Sequence, residues 1–331
     1  MRIAIDAMGG DQAPVKILQG AVQALELLEP GDELVLVGTE EVIRGAIAQE
    51  LAAHPQLKIV ASTQVITMDD SPVEAIRNKK DSSIVKMVGL MRAGAVDAII
   101  SAGNTGALVA AGVLLLKTLP GVERPGIAVV IPTPKGPVML CDAGANMLPK
   151  ALHLHQYGVM ASLYMQALHG VTNPRVAILN IGSEEEKGTP LVKETRELLQ
   201  ADKSVNFTGY VEGREIFKQA CDVVVTDGFT GNVVLKVIEG CTEAMVRAIQ
   251  HETALESAAM IEQIKPVMGR VWKRYDHEEY GGALLLGVSG LFLKVHGSGG
   301  SRAIRNAVAA VKAAGRLDIN QKIVDQLACK V

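Results

Sequence analysis

Short apolar runs alternate along the chain with stretches in which apolar residues recur at helical spacing. The runs are rich in Val, Ile and Leu and predict buried strands at residues 3–5, 34–37, 57–61, 98–101, 138–140, 176–179 and 223–225. Helical spacing between the runs predicts helices at residues 14–28, 40–53 and 81–93. The alternation indicates the α/β class and a doubly wound α/β/α sandwich, with helices on both faces of one sheet.

Five of the predicted strands end in a turn built largely from Gly, Asn, Asp and other small residues. The turns cover residues 6–11, 101–106, 141–146, 180–184 and 226–232. Open α/β sheets bind ligands outside the carboxyl ends of their strands. Backbone amides and helix N-termini at such turns favour anions, with phosphate the first expectation. We therefore expect residues 1–331 to form a single catalytic unit with one cleft, in which scattered loops bind an anion.

The alternation stops after the last of these turns. Residues 232–275 contain almost no predicted strand, and their apolar positions follow one helical face at Ile261, Ile264, Met268, Val271 and Tyr275. We expect a helical arm around residues 235–275, which Pro266 kinks or splits. The arm either packs on the core or on a second subunit, or it contacts lipid, because basic residues flank Trp272. The basic residues are Lys265, Arg270, Lys273 and Arg274.

Composition and charge narrow the class of protein. Lys and Arg total 33 and Asp and Glu total 36, so a net charge of −3 offers no broad basic surface for nucleic acid. The four cysteines form no CxxC pair, which favours neither disulfides nor a zinc site and fits a reducing cytoplasm; they are Cys141, Cys221, Cys241 and Cys329. We expect no signal peptide, and no apolar run reaches the ~18 residues that a membrane-spanning helix needs.

Familiar catalytic signatures are missing from the sequence. The first strand is not followed by GxGxxG, and the chain contains no Walker A loop, GxSxG elbow or HExxH helix. We therefore expect catalysis by positioning and electrostatics rather than by an activated covalent nucleophile, with no metal and no cofactor.

The candidate site residues lie in or beside the strand-end turns. Asp6 ends a buried strand, where an unpaired carboxylate is costly, so we expect it to meet Lys, Arg or backbone amides. Lys187 and His296 follow strand ends and are candidate anion ligands. Asp227 is a further candidate catalytic residue. Candidate phosphate or oxyanion residues are Gly9, Gly10, Gly103, Asn104, Thr105, Gly106, Gly228, Thr230, Gly231 and Asn232. The alternative is helix capping, by Asp11 for the first helix and by Asn232 or Thr230 for a helix from residue 233.

Six short motifs, spread over nearly the whole chain, are specific when they are taken together. They are Ile3-Ala4-Ile5-Asp6-Ala7-Met8-Gly9-Gly10-Asp11, Ser101-Ala102-Gly103-Asn104-Thr105-Gly106-Ala107, Asn180-Ile181-Gly182-Ser183-Glu184, Asp227-Gly228-Phe229-Thr230-Gly231-Asn232, Tyr280-Gly281-Gly282-Ala283 and His296-Gly297-Ser298. In this order they resemble the bacterial phosphate acyltransferases of phospholipid synthesis (the PlsX type). The chain departs from that family at Gly299-Gly300-Ser301, where members commonly have Ser and Asn.

The resemblance implies a fold like that of the isocitrate and isopropylmalate dehydrogenases, and a homodimer. It implies a cytoplasmic protein that associates peripherally with the inner face of the cell membrane. The implied enzyme is an acyltransferase that moves a fatty acyl group from its thioester on acyl carrier protein to inorganic phosphate. The product is an acyl phosphate, which a glycerol-3-phosphate acyltransferase then uses in phospholipid synthesis.

The implied reaction assigns roles to the candidates. It needs little proton transfer, because phosphate arrives as an anionic nucleophile and a thiolate leaves, so proximity and oxyanion donors are the main demands. We expect amides of residues 103–106 and 228–231, with the side chains of Asn104 and Asn232, to hold phosphate and oxyanion.

The charged candidates complete this scheme. Lys187 and His296 would balance the phosphate charge, and His296 would also protonate the thiolate. Asp6 and Asp227 would orient these two cations. Residues 261–275 border an apolar groove for the acyl chain, contact lipid or form a dimer arm. The acidic carrier protein would dock on a basic patch, for which the candidates are Arg270, Lys273 and Arg274.

Three other functions stay open at this point. A short-chain phosphate acetyl- or butyryltransferase would use coenzyme A thioesters instead of carrier-protein thioesters. A hydroxy-acid dehydrogenase would need a metal-binding cluster of aspartates, which the sequence does not assemble. A non-catalytic scaffold that recruits partners to a membrane would gain nothing from polar strand ends.

Overall fold

The computed structural model describes residues 1–328, apart from the side chains of Ala258, Ala259 and His277, so Cys329 lies outside the described residues. Within this range the strands are β1 (Arg2–Asp6), β2 (Glu33–Gly38), β3 (Leu57–Ala61), β4 (Ala98–Ser101), β5 (Gly126–Thr133), β6 (Gly136–Cys141), β7 (Arg175–Leu179), β8 (Asn206–Val211), β9 (Val223–Val225), β10 (Ala283–Leu286) and β11 (Leu291–Lys294). They form one sheet in the order β3-β2-β1-β4-β11-β10-β5-β6-β9-β7-β8.

The α-helices cover both faces of this sheet. In the described chain they are α1 (Val15–Gln23), α2 (Glu40–Ala46), α3 (Ala48–Ala53), α4 (Pro72–Asn78), α5 (Ser83–Arg92), α6 (Thr105–Ala111), α7 (Ala151–His169), α8 (Pro190–Ala201), α9 (Gly228–Glu256), α10 (Ala258–Tyr275), α11 (Ser301–Gly315) and α12 (Ile319–Ala328). Ile3 and Ile5 are buried in one apolar core and Ala4 in a second one, because successive strand residues point to opposite faces.

The sheet consists of two parallel parts that run in opposite directions. β3, β2, β1, β4 and β11 form one part, and β6, β9, β7 and β8 form the other. The antiparallel strands β10 and β5 join them. Lys294 at the end of β11 pairs with Ala283, while Ala128 pairs with both Leu284 and Cys141, which ends β6. The carboxyl ends of the two parts therefore meet near the middle of the sheet.

Several predicted helices differ from the observed ones at their ends. The helix expected over residues 14–28 is α-helical only to Gln23 and continues as a 3-10 turn over Ala24–Leu27. The helix expected over residues 40–53 is broken at Ile47 into α2 and α3. Such ends depend on packing and local hydrogen bonds, which apolar spacing does not specify.

The expected helical arm consists of α9 and α10, but it breaks at a different residue. Helix α10 continues through Pro266, and the break lies at Ser257, whose extended backbone and side-chain hydrogen bond to Met260 N cap α10. The cap at Ser257 starts the new helix, so the expected split at Pro266 is wrong, while a kink at Pro266 stays a prediction. Within residues 1–328, no helix is long and apolar enough to cross a membrane.

Candidate active site

A cleft of about 330 Å³ lies where the carboxyl ends of the two parts of the sheet meet. Its first side follows β1, β4 and β11 and includes Asp11, Thr105, Lys294, His296 and Gly297. Its second side follows β6 and β9 and includes Ala143, Gly144 and Asn232. Apolar residues of β5 and α9 also line it, namely Ile127, Val129, Val130 and Leu235, and so do the charged Lys236 and Glu239 of α9. A few polar groups beside apolar walls are typical of small-molecule sites.

Lys294 brings a buried cation to the first side. Its side chain is 9% exposed, and Nζ donates to the carbonyl oxygens of Ala102 (3.2 Å) and Val295. Burial lowers the pKa of Lys294 to about 8, although Asp6 and Asp11 oppose this shift. The ammonium has three N–H donors, so one remains for an anion in the cleft.

Asp6 ties the loop after β1 to the loop after β4. Its Oδ2 accepts from Ser101 Oγ (2.7 Å) and its Oδ1 from Met8 N (3.2 Å). Burial raises the pKa of Asp6, and the hydrogen bond from Ser101 and the charge of Lys294 act against that rise. None of its hydrogen bonds within the described chain reaches Lys187 or His296. The orienting role expected for Asp6 therefore has no counterpart in these contacts.

Gly9 and Gly10 allow the loops of the first side to approach closely. A Cβ on Gly9 would lie 2.3 Å from Asp6 Oδ2 and 2.8 Å from Gly103 N, and Gly10 has a φ of +104°. Asp11 N donates to Gly297 O (2.8 Å), and Asp11 lines the cleft instead of capping α1. The two glycines thus act here through close packing of backbone.

The turn after β4 commits most of its donors to the protein. Gly103 N donates to Ser101 Oγ (3.0 Å). Asn104 Oδ1 caps α6 by accepting from Ala107 N (3.0 Å), and its Nδ2 donates to the carbonyl oxygens of Thr67, Met68 and Asp70. Asn104 is thus a positioning residue and not a free donor for phosphate or oxyanion. A Cβ on Gly106 would lie 2.6 Å from Pro72, so Gly106 also serves packing, and Thr105 is the predicted residue of this turn that lines the cleft.

His296 lies exposed at the edge of the cleft. Its Nδ1 is 2.7 Å from Ser298 Oγ and 3.4 Å from Ser298 N. Because the backbone N–H can only donate, Nδ1 acts as an acceptor in this arrangement and Nε2 carries the ring N–H. Nε2–H is then a donor for an anion or for a departing thiolate.

Asp142 organises the second side of the cleft. Its side chain is fully buried and accepts from the four backbone amides of Ile127, Gly144, Ala145 and Asn146 at 2.7–3.1 Å. Burial raises the pKa of Asp142, and these four hydrogen bonds oppose the rise. The amides of this turn are therefore satisfied by the protein itself.

The turn after β9 is also satisfied internally. Asp227 caps α9: its Oδ1 accepts from Thr230 N (2.8 Å) and its Oδ2 from Thr230 Oγ1 (2.7 Å). Gly228 N donates to Asn146 O and Gly231 N to Asp227 O, both at 2.9 Å. Helix α9 thus begins at Gly228 with Asp227 as its cap, and not at residue 233 with Asn232 or Thr230. The carboxylate of Asp227 thus serves as a cap in this structure, and its orienting role stays a prediction.

Asn232 lies in the wall of the cleft, whereas Lys187 does not. Asn232 lines the cleft, and no hydrogen bond among residues 1–328 uses its side-chain amide. Lys187 lies between β7 and α8, where Nζ pairs with Glu184 Oε1 (2.6 Å) and the side chain is 45% exposed. Lys187 is not among the residues that line the cleft.

The other basic candidates lie outside the cleft wall. Arg270, Lys273 and Arg274 are exposed on α10. Arg302 pairs with Asp276, Glu278 and Glu279. These three carboxylates satisfy its charge, so Arg302 is not a cation for phosphate. In the described part of the chain, no three His, Cys, Asp or Glu side chains are grouped so as to hold a metal ion.

Sequence reasoning missed two residues of this site. Lys294 is not among the predicted site residues, although a lysine that ends an apolar strand is a recognisable signal of a buried cation. Asp142 was part of a recognised turn, but its function depends on amides from β5, which are distant in sequence.

The chain matches the family model described as fatty acid synthesis protein over residues 1–322. It is 44% identical over 316 residues to the phosphate acyltransferase of Halothermothrix orenii, which covers 94% of each chain. It is 44% identical over 330 residues to the phosphate acyltransferase of Brevibacillus brevis, which covers 99% of this chain and 97% of the relative.

Solved structures with low sequence identity share the fold. The EutD phosphotransacetylase from Staphylococcus aureus has a TM-score of 0.60 at 15% identity, over 95% of this chain and 94% of that one. A structure described as a 4-hydroxythreonine-4-phosphate dehydrogenase from Salmonella typhimurium has a TM-score of 0.51 at 14% identity, over 94% of this chain and 99% of that one. These likenesses confirm the predicted dehydrogenase-like α/β/α sandwich. The family model and the relatives confirm the resemblance seen in the motifs: the chain belongs to the fatty acid synthesis protein family and, within it, to the phosphate acyltransferases.

Proposed function

We propose that the cleft transfers a fatty acyl group from its thioester on acyl carrier protein to inorganic phosphate, giving an acyl phosphate for phospholipid synthesis. The observation that carries the proposal is the buried Lys294 at the polar end of a cleft with an apolar wall. Family membership supports the same reaction. A dianionic nucleophile needs a cation and donors, while an acyl thioester needs an apolar surface beside them.

The reaction would proceed by direct attack. Phosphate binds to the remaining N–H of Lys294, with the Thr105 hydroxyl and the Asn232 amide as further donors. A phosphate oxygen forms a bond to the thioester carbon, and the C–S bond of the tetrahedral intermediate then breaks. His296 Nε2–H donates to the departing sulfur, which leaves as thiol or thiolate. Lys187 would join phosphate binding only after leaving Glu184.

The decisive experiment supplies purified protein with palmitoyl-acyl carrier protein and phosphate, and it measures acyl phosphate as the hydroxamate. We expect phosphate-dependent product. His296→Ala should lower turnover about 10²-fold, the lower end of what a positioned proton donor contributes. Absence of product from every thioester would contradict the proposal, and near-normal turnover of His296→Ala would make His296 structural.

A second candidate is short-chain acyl transfer from coenzyme A. The fold shared with phosphotransacetylases supports it. Palmitoyl and acetyl thioesters of both carriers separate the two candidates. A kcat/KM for acetyl-coenzyme A that exceeds the value for palmitoyl-acyl carrier protein would favour the second candidate.

The arm supports proposals about partners and place. Phe229, Val237 and Met245 of α9 are 56–65% exposed, which fits a homodimer contact or peripheral binding at the inner face of the cell membrane. The latter would place the cytoplasmic enzyme beside a glycerol-3-phosphate acyltransferase. Sedimentation velocity tests the dimer, and co-sedimentation with anionic vesicles tests the membrane contact.

The basic residues Arg270, Lys273 and Arg274 of α10 are the candidates for docking the carrier protein. Charge reversal at these three residues tests this proposal, and an unaltered KM for the carrier thioester would exclude the patch as the docking site.

A further inference from the structure

Two more cavities continue the cleft along α9. A narrow one of about 40 Å³ shares Val129, Val130, Leu235 and Glu239 with the cleft. A larger one of about 780 Å³ lies between α9 and α10 and shares Glu243 and Trp272 with the narrow one. The three cavities therefore follow one another from Lys294 and His296 to the crevice between the two helices.

Apolar side chains of both helices line the crevice, beside the polar Gln250 and Thr253 of α9. Val246 of α9 and residues of α10 form its walls; the latter are Ile261, Ile264, Met268 and Trp272. Three charged residues also line it, and each is in an ion pair along its own helix: Glu243 with Arg247 at 3.2 Å, and Lys265 with Glu262 at 3.9 Å. These ion pairs leave little net charge along the crevice, and its apolar side chains suit an apolar ligand.

The path is also long enough for a fatty acyl chain. Between Leu235 and Thr253, which line its two ends, α9 rises about 27 Å along its axis. Each leaflet of lipid chains fills roughly 15 Å, half of a ~30 Å hydrocarbon core. The cleft alone, at about 330 Å³, is at the lower end of the ~300–1,000 Å³ of ligand pockets. A long chain that reacts in the cleft thus needs further apolar space, and the cavities along α9 adjoin the cleft through shared lining residues.

We propose that the crevice between α9 and α10 binds the fatty acyl chain of the substrate. The thioester carbonyl lies beside Lys294 and His296, the chain passes the constriction at Leu235 and Trp272, and its methyl end lies between the helices. The inference rests on the proposed function for the identity of the substrate. It makes α10 the element that determines chain length.

Two glycines of the arm provide a matched pair of variants. A Cβ on Gly269 of α10 or on Gly240 of α9 would meet no atom within 4 Å, so both positions accept a larger side chain. Gly269 lines the crevice, whereas Gly240 does not. Leucine has a higher helix propensity than glycine, so the substitution should not break the helix at either position. Gly269→Leu should therefore fill the crevice, and Gly240→Leu is its control.

The first test needs no catalysis. Trp272 is the only tryptophan in the sequence and lines both the crevice and the constriction. Stearic acid that is dibrominated at mid-chain quenches indole fluorescence by contact. We expect saturable quenching of Trp272 in the wild-type protein and in Gly240→Leu, with at least tenfold weaker binding in Gly269→Leu.

The second test uses the reaction. Each buried methylene contributes about fourfold to binding. Filling the crevice should therefore lower kcat/KM for palmitoyl-acyl carrier protein at least tenfold in Gly269→Leu and leave the butyryl thioester within twofold. Gly240→Leu should match the wild-type protein with both thioesters.

The outcomes distinguish a failure of this inference from a failure of the proposed function on which it rests. If Gly269→Leu lowers kcat/KM equally for both thioesters, or for neither, the inference is overturned. Quenching by vesicles of brominated lipid but not by the brominated acid would assign the crevice to a membrane surface. If a second copy of the chain covers the crevice, the brominated acid should not quench Trp272 and sedimentation should find an oligomer. That result overturns the proposal, and so does quenching by the vesicles alone. Quenching that only Gly269→Leu abolishes, in a protein that makes no acyl phosphate, would leave the crevice as a fatty-acid site and refute the proposed function.

Discussion

The two sides of the cleft are built from the same kind of strand-end turn but use it differently. On the side of β6 and β9, Asp142 and Asp227 accept backbone amides of their own loops, which leaves the Asn232 side-chain amide as the donor that lines the cleft there. On the side of β11, Lys294 is buried with an N–H left over for a ligand. A Gly/Asn/Asp turn at a strand end therefore binds an anion only where its donors are not already used.

The largest expected effect is the loss of the Lys294 charge. Lys294→Met retains the apolar stem but removes the cation, so kcat/KM for phosphate should fall about 10²–10³-fold, as for one lost electrostatic donor of a reacting site. Steady-state kinetics with varied phosphate measures the effect, and circular dichroism checks the fold. A folded variant with a normal kcat/KM would show that the first side does not bind phosphate.

The pH dependence of kcat/KM for phosphate should report the charge of Lys294. Burial lowers the pKa of Lys294 from 10.5 to about 8, so its charge is present below pH 8 and is lost above it. We expect kcat/KM for phosphate to fall up to tenfold per pH unit above about 8. Lys294→Met should lack this decline. The unfolded chain retains the proton up to about pH 10.5, so Lys294 should make unfolding harder as pH rises from about 8 to 10.5.

The next effect lies on the second side and concerns stability. A Cβ on Gly231 would lie 1.9 Å from Asp142 O, so Gly231→Ala must push α9 away from its loop. We expect the free energy of unfolding to fall by about 1–3 kcal/mol. Gly240→Ala in the same helix meets no atom and should not destabilise the protein. Equal urea midpoints for the two variants would contradict the close packing of α9.

The cap of α9 gives a smaller effect. Asp227→Ala removes both hydrogen bonds to Thr230 and should lower the free energy of unfolding by about 1 kcal/mol. Because Asp227 acts here as a cap, KM for phosphate should stay within twofold. A KM that rises tenfold in a variant of normal stability would restore the orienting role expected from the sequence.

The smallest effect is expected for Lys187. Its ion pair with Glu184 is exposed, and such pairs contribute about 0–1 kcal/mol. Because Lys187 also does not line the cleft, Lys187→Ala should change KM for phosphate by less than about fivefold, with Glu184→Ala as the matched control. If Lys187→Ala weakens phosphate use as strongly as Lys294→Met, the loop after β7 closes on the cleft during the reaction.

The sequence predicted the elements better than the contacts between them. Apolar runs located β1 to β4 and the turns that follow the strands, because burial on both faces of a sheet requires such runs. The arm was predicted as well, but Pro266 was taken as its break, whereas the cap at Ser257 determines it. Gly231 and Asn104 lie in correctly located turns, yet their neighbours Asp142 and Met68 come from elsewhere in the chain.

Local pattern and motif order determined the α/β class, the strand-end position of the candidate site and the family. Only the tertiary structure decided which strand-end groups remain available to a ligand. Whether an amide or ammonium is available depends on acceptors that distant segments bring to it, as β5 does for Asp142 and the loop of residues 67–70 does for Asn104. The spacing of residues in the sequence does not identify those partners. Only the folded structure therefore shows that Lys294 keeps a donor for a ligand, whereas Asp227 is used as a helix cap.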